Sequence, residues 1–213
     1  MAPPRQRRNH IVAPGDHLSR VAVTNGFRSY VPLWDDPANA PLQKLRKTPH
    51  ILADGDPVDI PPLEAREVER PTEHRHRFKA TIPELLVRVK HLTWAGAPIA
   101  TPTAVLADGK SAVANGKAGS IFEIPIGPIA DRLLLTVEPS ETLLRVGFLQ
   151  PVSTLAGSRE RLTNLGYEAG EKNDATNLQF RSAVEEFQCD QHLVIDGKVG
   201  PDTRARLVKV HGC

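Results

Sequence analysis

The chain has 213 residues, of which 24% are charged and 40% hydrophobic, and its formal net charge is +2. The composition is ordinary for a water-soluble globular protein. The length permits one large domain or two to three small ones, and three small ones are favoured because the composition changes twice along the chain. No apolar run is long enough to cross a bilayer, so we expect no membrane insertion. The small net charge and an aromatic content of 5% argue against nucleic acid as a partner.

Residues 10–62 have the pattern of a small module that contains both strands and helices. An apolar pair at 11–12 precedes a turn at 14–16, and apolar residues at helical spacing follow the turn. Asp16 stands where a helix N-cap is expected. The alternation of apolar and polar residues at 58–60 predicts a closing strand.

The middle of the chain changes pattern twice. Residues 63–80 are rich in Glu, Arg and His without apolar periodicity, which predicts a solvated linker. Residues 81–150 carry short apolar runs that alternate with turn signals such as Asp108-Gly109 and Asn115-Gly116, which predicts an antiparallel β-sandwich. The predicted strands lie at 86–89, 104–106, 121–124, 133–137 and 143–149.

Residues 154–213 return to helical spacing. Apolar residues at 180, 183, 184 and 187 fall on one face of a helix, and a Gly-containing loop at 195–200 precedes a further helix. The pattern predicts three short helices around one small core. The chain contains two cysteines, Cys189 and Cys213, which excludes a disulfide framework. We expect two free thiols in a reducing compartment, although one bridge between them remains an alternative.

The first unit resembles a LysM domain. Residues 11–22 match the family's strand, Gly-Asp pair and first helix, and residues 55–61 match its closing Gly-x-x-Val-x-Ile-Pro. The middle departs from the family, because residues 34–39 stand near its usual single Asn and the interval is longer. The resemblance implies a βααβ fold with a shallow groove for N-acetylglucosamine chains. By resemblance, the groove is lined by residues 49–52 together with Pro14, Gly15, Asp16, His17 and Asn39. The alternative is that Gly15 and Asp16 serve only the turn and the helix cap.

The last unit resembles the three-helix peptidoglycan-binding domain found beside many wall hydrolases. The matching segments are residues 161–167, 183–188 and 193–203, together with Leu207. One departure is that residues 171–177 replace the family's Asp-Gly-x-x-Gly-x-x-Thr before the central helix. The resemblance implies a wall ligand held by exposed polar and aromatic groups near the loops, namely Asn164, Tyr167, Gln188, Asp196 and Thr203. For each of these, a cap or a local hydrogen bond is the alternative role.

Signals for catalysis are weak throughout the chain. The sequence has no His-Glu-x-x-His, no cysteine pair at zinc spacing and no Gly-rich phosphate loop. His74 and His76 have no third metal ligand in view, and Cys189 and His192 have no orienting partner. We therefore expect no enzymatic activity, no cofactor and no metal site.

The sequence as a whole predicts a multidomain α+β protein with residues 10–62 as a LysM-like βααβ module, 63–80 as linker, 81–150 as an antiparallel β-sandwich and 154–213 as a three-helix peptidoglycan-binding domain. The predicted function is non-catalytic binding to peptidoglycan, with two weak modules that reinforce each other on a repetitive polymer.

A second interpretation comes from a different class of protein. The same combination of modules resembles accessory proteins of type VI secretion and phage-tail-like contractile injection systems, in which the chain would be an adaptor for a spike, baseplate or effector protein. A third interpretation is the delivery half of a wall hydrolase whose catalytic part is a separate polypeptide. Residues 1–9 lack the apolar core of a secretory signal, so we expect a cytoplasmic location after synthesis, unless a non-Sec machine exports the chain to the periplasm or to a target wall.

Overall fold

The computed structural model describes residues 6–46, 48–63, 69–77, 79, 84–90, 103–106, 111–112, 114–117, 121–137, 140–171 and 174–213. The chain divides into two compact units. The first comprises Met1–His50 and Gly55–Phe148, and the second comprises Ile51–Asp54 and Leu149–Cys213. Together they form a mixed α+β structure of antiparallel sheets and helices, which confirms the predicted class. The finer division into four segments stays a prediction.

The first unit begins with a two-stranded antiparallel sheet in which β1 (Arg8–Ile11) pairs with β2 (Pro57–Ile60). Between these strands lie α1 (Leu18–Thr24), α2 (Val31–Trp34), a 3₁₀ turn (Pro37–Asn39) and α3 (Ala40–Arg46). The succession of strand, helices and strand agrees with the predicted order. The buried apolar side chains of this part include Leu18, Val21, Ala22, Leu33, Leu42, Val58 and Ile60.

The same unit contains two further antiparallel sheets. One has the strand order β3 (Leu85–Lys90), β7 (Ile121–Ile126), β6 (Asn115–Lys117), and the other has the order β5 (Ser111–Ala112), β4 (Thr103–Leu106), β8 (Arg132–Val137), β9 (Ser140–Arg145). Side chains alternate between buried and partly exposed along β7, because successive residues of a strand point to opposite faces. Residues of both sheets share one apolar cluster, whose buried members are Ile124, Ile126, Leu133 and Leu135.

Four of the five strands expected in this region overlap β3, β4, β7 and β8 along most of their length. The last, expected at 143–149, overlaps β9 only at 143–145, because β9 begins at Ser140 and ends at Arg145. The turn expected at Asn115-Gly116 is wrong, since these residues lie in β6 opposite Glu123 and Phe122. The turn expected at Asp108-Gly109 lies outside the described residues. Of the expected linker, residues 69–77 are described, and they are exposed and form neither helix nor strand.

The second unit is built from α4 (Leu155–Asn164), α5 (Leu178–Asp190) and α6 (Pro201–His211). Thr154 and Asn177 cap the first two helices with their side-chain oxygens, and Pro201 begins the third. The apolar faces meet in one core, whose buried members are Leu162, Ala169, Phe180, Ala183, Val184, Phe187 and Leu207. The three predicted helices around one core are therefore present.

A buried arginine ties the ends of this unit together. Arg161 is 1% exposed, and its guanidinium donates to the carbonyl oxygens of Gln150 at 2.8 Å, Gly157 at 2.7 Å and Cys213 at 2.8 Å. Burial lowers the pKa of Arg161 from its ordinary value. Three carbonyl acceptors offset that desolvation, so the guanidinium joins the start of α4 to the residues after α6.

We expect Arg161→Lys to destabilise the second unit by about 2 kcal/mol, because an ammonium cannot reproduce the planar fork that reaches three separate carbonyl groups. The measurement is urea unfolding followed by circular dichroism at the helical band. Arg181→Lys is the matched control, since Arg181 is exposed on α5 and pairs with Glu185 one turn away. Equal unfolding midpoints for the two variants would contradict a structural role for Arg161.

Candidate functional site

The loop between α5 and α6 is organised by one buried amide. Gln188 is 1% exposed, and its Oε1 accepts hydrogen bonds from the backbone N–H groups of Asp196 and Gly197, both at 3.0 Å. Its Nε2 lies 2.8 Å from Asp196 Oδ1, 3.0 Å from the Lys198 carbonyl oxygen and 3.1 Å from Thr203 Oγ1. The amide therefore fixes the loop to the last turn of α5 and to the first turn of α6.

Asp196 adds a further hydrogen bond to this network, and Gly197 permits the turn. Asp196 Oδ1 also accepts from the Lys198 backbone N–H at 2.9 Å, and the hydrogen bond from Gln188 is the largest cause that lowers the pKa of Asp196. Gly197 has φ +65°, and a Cβ at this position would lie 2.7 Å from Glu185 Oε1, so the turn requires glycine.

Two of the five residues expected to be exposed in this unit are buried. Gln188 and Thr203 are 1% and 4% exposed, so the expectation of exposure is wrong for both. Their polar groups are engaged within the protein because a buried amide or hydroxyl without a partner is costly. Asp196 is exposed as expected. Ligand contact by these residues stays a prediction, and the geometry gives Gln188 a structural role.

The other two expected contact residues, Tyr167 and Asn164, each bond a side chain of another part of the unit. Tyr167 donates from its hydroxyl to Asp190 Oδ2 at 2.8 Å and packs edge-on against the Phe187 ring. Burial, with the hydrogen bond to Asp190 next, raises the pKa of Tyr167 to about 12, so the phenol stays neutral. Asn164 is exposed, and its Nδ2 lies 3.0 Å from His211 Nε2.

The contact between Asn164 and His211 is part of a row of three side chains, an amide, an imidazole and a thiol. This row was not predicted from the sequence. His211 Nδ1 lies 3.1 Å from Cys213 Sγ, so the three side chains stand in the order Asn164, His211, Cys213. Burial lowers the pKa of His211 and raises the pKa of the Cys213 thiol. Both shifts favour the neutral imidazole and the neutral thiol, whereas a cysteine nucleophile requires the thiolate.

A pocket of about 230 Å³ opens between the ends of the three helices, and sequence reasoning missed it. Its apolar wall includes Phe180 and Leu155, and its polar side includes Lys198 and Arg204. The full lining is Thr154, Leu155, Ser158, Ala175, Phe180, Gly197, Lys198, Val199 and Arg204. The hydroxyls of Thr154 and Ser158 are engaged, since they donate to the carbonyl oxygens of Pro151 and Val152.

In the first unit, the loop expected to line a sugar groove is packed against the chain. Gly15 is buried, and a Cβ at Gly15 would lie 2.9 Å from the tip of the Phe148 ring. A Cβ at Gly147 would lie 2.5 Å from the Gly15 carbonyl oxygen, so both glycines permit a close approach of backbone. Pro14 is exposed. The Gly15 face of the loop is therefore covered by residues that follow β9.

His17 takes the N-cap position that was expected for Asp16. His17 is the N-cap of α1, and its Nδ1 accepts from the Arg20 backbone N–H at 3.4 Å. The expectation that Asp16 caps this helix is wrong, because its carboxylate instead accepts from the Ala13 N–H at 3.0 Å and lies 2.8 Å from His10 Nε2. Burial lowers the pKa of His17 to about 4, so the ring is neutral at physiological pH.

Asn39 has a structural position. It is 3% exposed, its Nδ2 donates to the carbonyl oxygens of Leu33 and Asp59 at 2.8 and 2.7 Å, and its Oδ1 accepts from the Asp59 N–H at 2.8 Å. The amide thus pairs with the backbone of β2 as a neighbouring strand would. Of the expected segment 49–52, residues 51 and 52 belong to the second unit. Asn39 also lines a pocket of about 240 Å³, whose lining does not include the expected residues 14–17. Sugar contact by the expected groove residues stays a prediction.

The described residues contain no cluster of three or more His, Cys, Asp or Glu side chains that could hold a metal ion. None of the helices in the described part of the chain combines the length and apolar character that crossing a bilayer requires.

We expect Gln188→Met to destabilise the second unit by about 3 kcal/mol, because an isosteric apolar side chain leaves the N–H groups of Asp196 and Gly197 without their acceptor. Thermal unfolding followed by circular dichroism measures the effect. Gln179→Met on the exposed face of the same helix is the control, and it should unfold at the wild-type temperature. A stable Gln188→Met variant would show that the loop is held by other contacts.

Comparison with known proteins identifies one family. Residues 158–207 match the sequence model of the peptidoglycan binding domain, over a segment that runs from α4 through α6. No curated protein and no solved structure matches the chain. The match supports peptidoglycan as a partner of the second unit, and it includes the Gln188 network and most of the pocket lining.

Proposed function

We propose that the chain is a non-catalytic peptidoglycan-binding protein whose wall contact is made by the second unit. The observation that carries the proposal is the family match over 158–207, which falls on three helices with an intact core and an accessible pocket. The pocket is smaller than the range typical of sites that enclose a whole drug-sized ligand, which suits one short group of a large polymer. Wall binding requires delivery outside the cytoplasm, and we propose export by a machine other than the general secretory route.

For the first unit we propose a LysM-like fold for residues 10–62 and a β-sandwich for residues 81–150. The order of β1, α1 to α3 and β2 supports the former, and the shared apolar cluster of two antiparallel sheets supports the latter. The contact of Phe148 with Gly15 argues against sugar binding at that face of the module. We therefore propose that this module supports the fold and contacts proteins.

That contact favours a second candidate function, the adaptor of a contractile injection system. A LysM-like module whose Gly15 face is covered leaves its other surfaces for a protein partner such as a spike, baseplate or effector. The two functions are compatible, because the adaptor surface would lie on the first unit and the wall contact on the second.

We expect the full chain to sediment with insoluble murein and not with insoluble cellulose. A fragment of residues 149–213, first checked for helical circular dichroism, should sediment as well, because it retains all three helices. Dye release from labelled murein should remain at the level of buffer. A full chain that stays soluble with murein would contradict wall binding, and dye release would contradict the absence of catalysis.

We expect the Cys213 thiol to react slowly at neutral pH. Burial raises its pKa, so the thiolate fraction, and with it the alkylation rate, should rise only at more alkaline pH than for an ordinary cysteine. The measurement is the pH profile of iodoacetamide alkylation in a Cys189→Ser variant, which leaves Cys213 as the one thiol. A rate that is already maximal near pH 7 would indicate an activated nucleophile, against the non-catalytic proposal.

A further inference from the structure

The charged side chains that line the pocket in the second unit are all cationic. Its described lining contains two cationic side chains, Lys198 and Arg204, and no carboxylate. Two acids beside Gly197 are already engaged, because Asp196 accepts from Gln188 and Glu185 accepts from Arg181 at 2.8 Å. Asp196 also lies close enough to Lys198 for attraction between their charges.

Arg204 has a buried donor without an acceptor. Its Nε is shielded from solvent and has no hydrogen-bond partner among the described residues. Buried donors of this kind are rare in folded proteins, because the lost hydration is not replaced. A guanidinium in this state gains more from an incoming acceptor than one that is already paired, and a carboxylate fits its planar fork in a bidentate way.

The apolar side of the pocket limits the size and character of the ligand. Phe180, Leu155, Val199 and Ala175 provide a nonpolar wall in a cavity of about 230 Å³. A neutral disaccharide needs several hydroxyl partners, whereas the Thr154 and Ser158 hydroxyls donate to the protein's own backbone. A small methyl-bearing group that ends in a carboxylate matches both the nonpolar wall and the cations.

We propose that this pocket binds the carboxylate end of a wall stem peptide, with Arg204 as the anchor, Lys198 as a supporting cation and Phe180 and Val199 against the methyl group of a terminal D-alanine. The inference rests on the proposed peptidoglycan binding and assigns the recognised part of the polymer to its peptide and not to its glycan. The first turn of α4 borders the same pocket, and its partial positive charge acts in the same direction.

The test uses the full chain and two forms of murein, intact sacculi and sacculi from which an amidase has removed the stem peptides. Wild-type protein should bind intact sacculi and lose roughly tenfold or more in affinity for the stripped glycan, as expected for the loss of a charge-assisted hydrogen bond. Arg204→Gln should lose a similar factor on intact sacculi. Arg206→Gln is the matched control, because Arg206 lies on the same helix outside the pocket lining and carries the same charge.

A competition experiment on the wild-type chain covers the case in which the Arg204 variant does not fold. A synthetic stem pentapeptide with a free terminal D-alanine carboxylate should displace the protein from sacculi, and the same peptide ending in a carboxamide should not. Equal displacement by the two peptides, or equal wild-type binding to intact and stripped sacculi, overturns the inference and leaves wall binding standing. Failure of the wild type to bind either form of murein overturns both.

Discussion

The arrangement of the second unit depends on the buried amide of Gln188. Its carbonyl oxygen accepts from the successive backbone N–H groups of Asp196 and Gly197, and its nitrogen lies against acceptors on Asp196, Lys198 and Thr203. The amide therefore has hydrogen-bond partners for its own atoms and supplies partners for the loop backbone, so these backbone groups need no water molecule inside the turn. The loop can therefore lie close to the core, and Gly197, Lys198 and Val199 form a defined wall of the neighbouring pocket. One wall of the pocket is therefore positioned by a side chain, Gln188, that is not itself part of the lining.

The sequence predicted the elements of this unit well, because apolar residues at helical spacing and capping residues report directly on local structure. It predicted the roles of polar residues poorly. Gln188 and Thr203 stood among candidate contacts because their residue types can bind a ligand, and residue type alone does not tell a surface amide from one that satisfies a buried loop. Arg204 was overlooked for a related reason, since one arginine on a polar helix carries no signal until the fold closes a cavity beside it.

In the first unit, too, local sequence patterns predicted the elements but not the contacts between residues that are distant in sequence. Residues 10–62 gave a correct order of strand, helix and strand from local patterns, yet the cover over Gly15 comes from Phe148, more than a hundred positions later. Asn39 lines a pocket, yet its amide is engaged in hydrogen bonds to β2, which residue type alone did not indicate. Gly147 offers one local signal in retrospect, because a glycine close to the end of a strand can mark a close approach of two backbones.

The number of wall-binding sites on each chain, one or two, determines how the protein would be retained on the wall. Two weak sites on one chain reinforce each other only if both can engage the polymer at once. With the Gly15 face of the first module covered, such reinforcement on murein would have to come from several copies of the chain, each contributing one helical unit. A larger assembly that holds many copies of the chain, or one that holds a single copy near the wall, would provide retention without a second sugar site on each chain. Under the two proposed functions, binding to murein would fall on the second unit and docking to a larger protein assembly on the first, so the two demands would not compete for one surface.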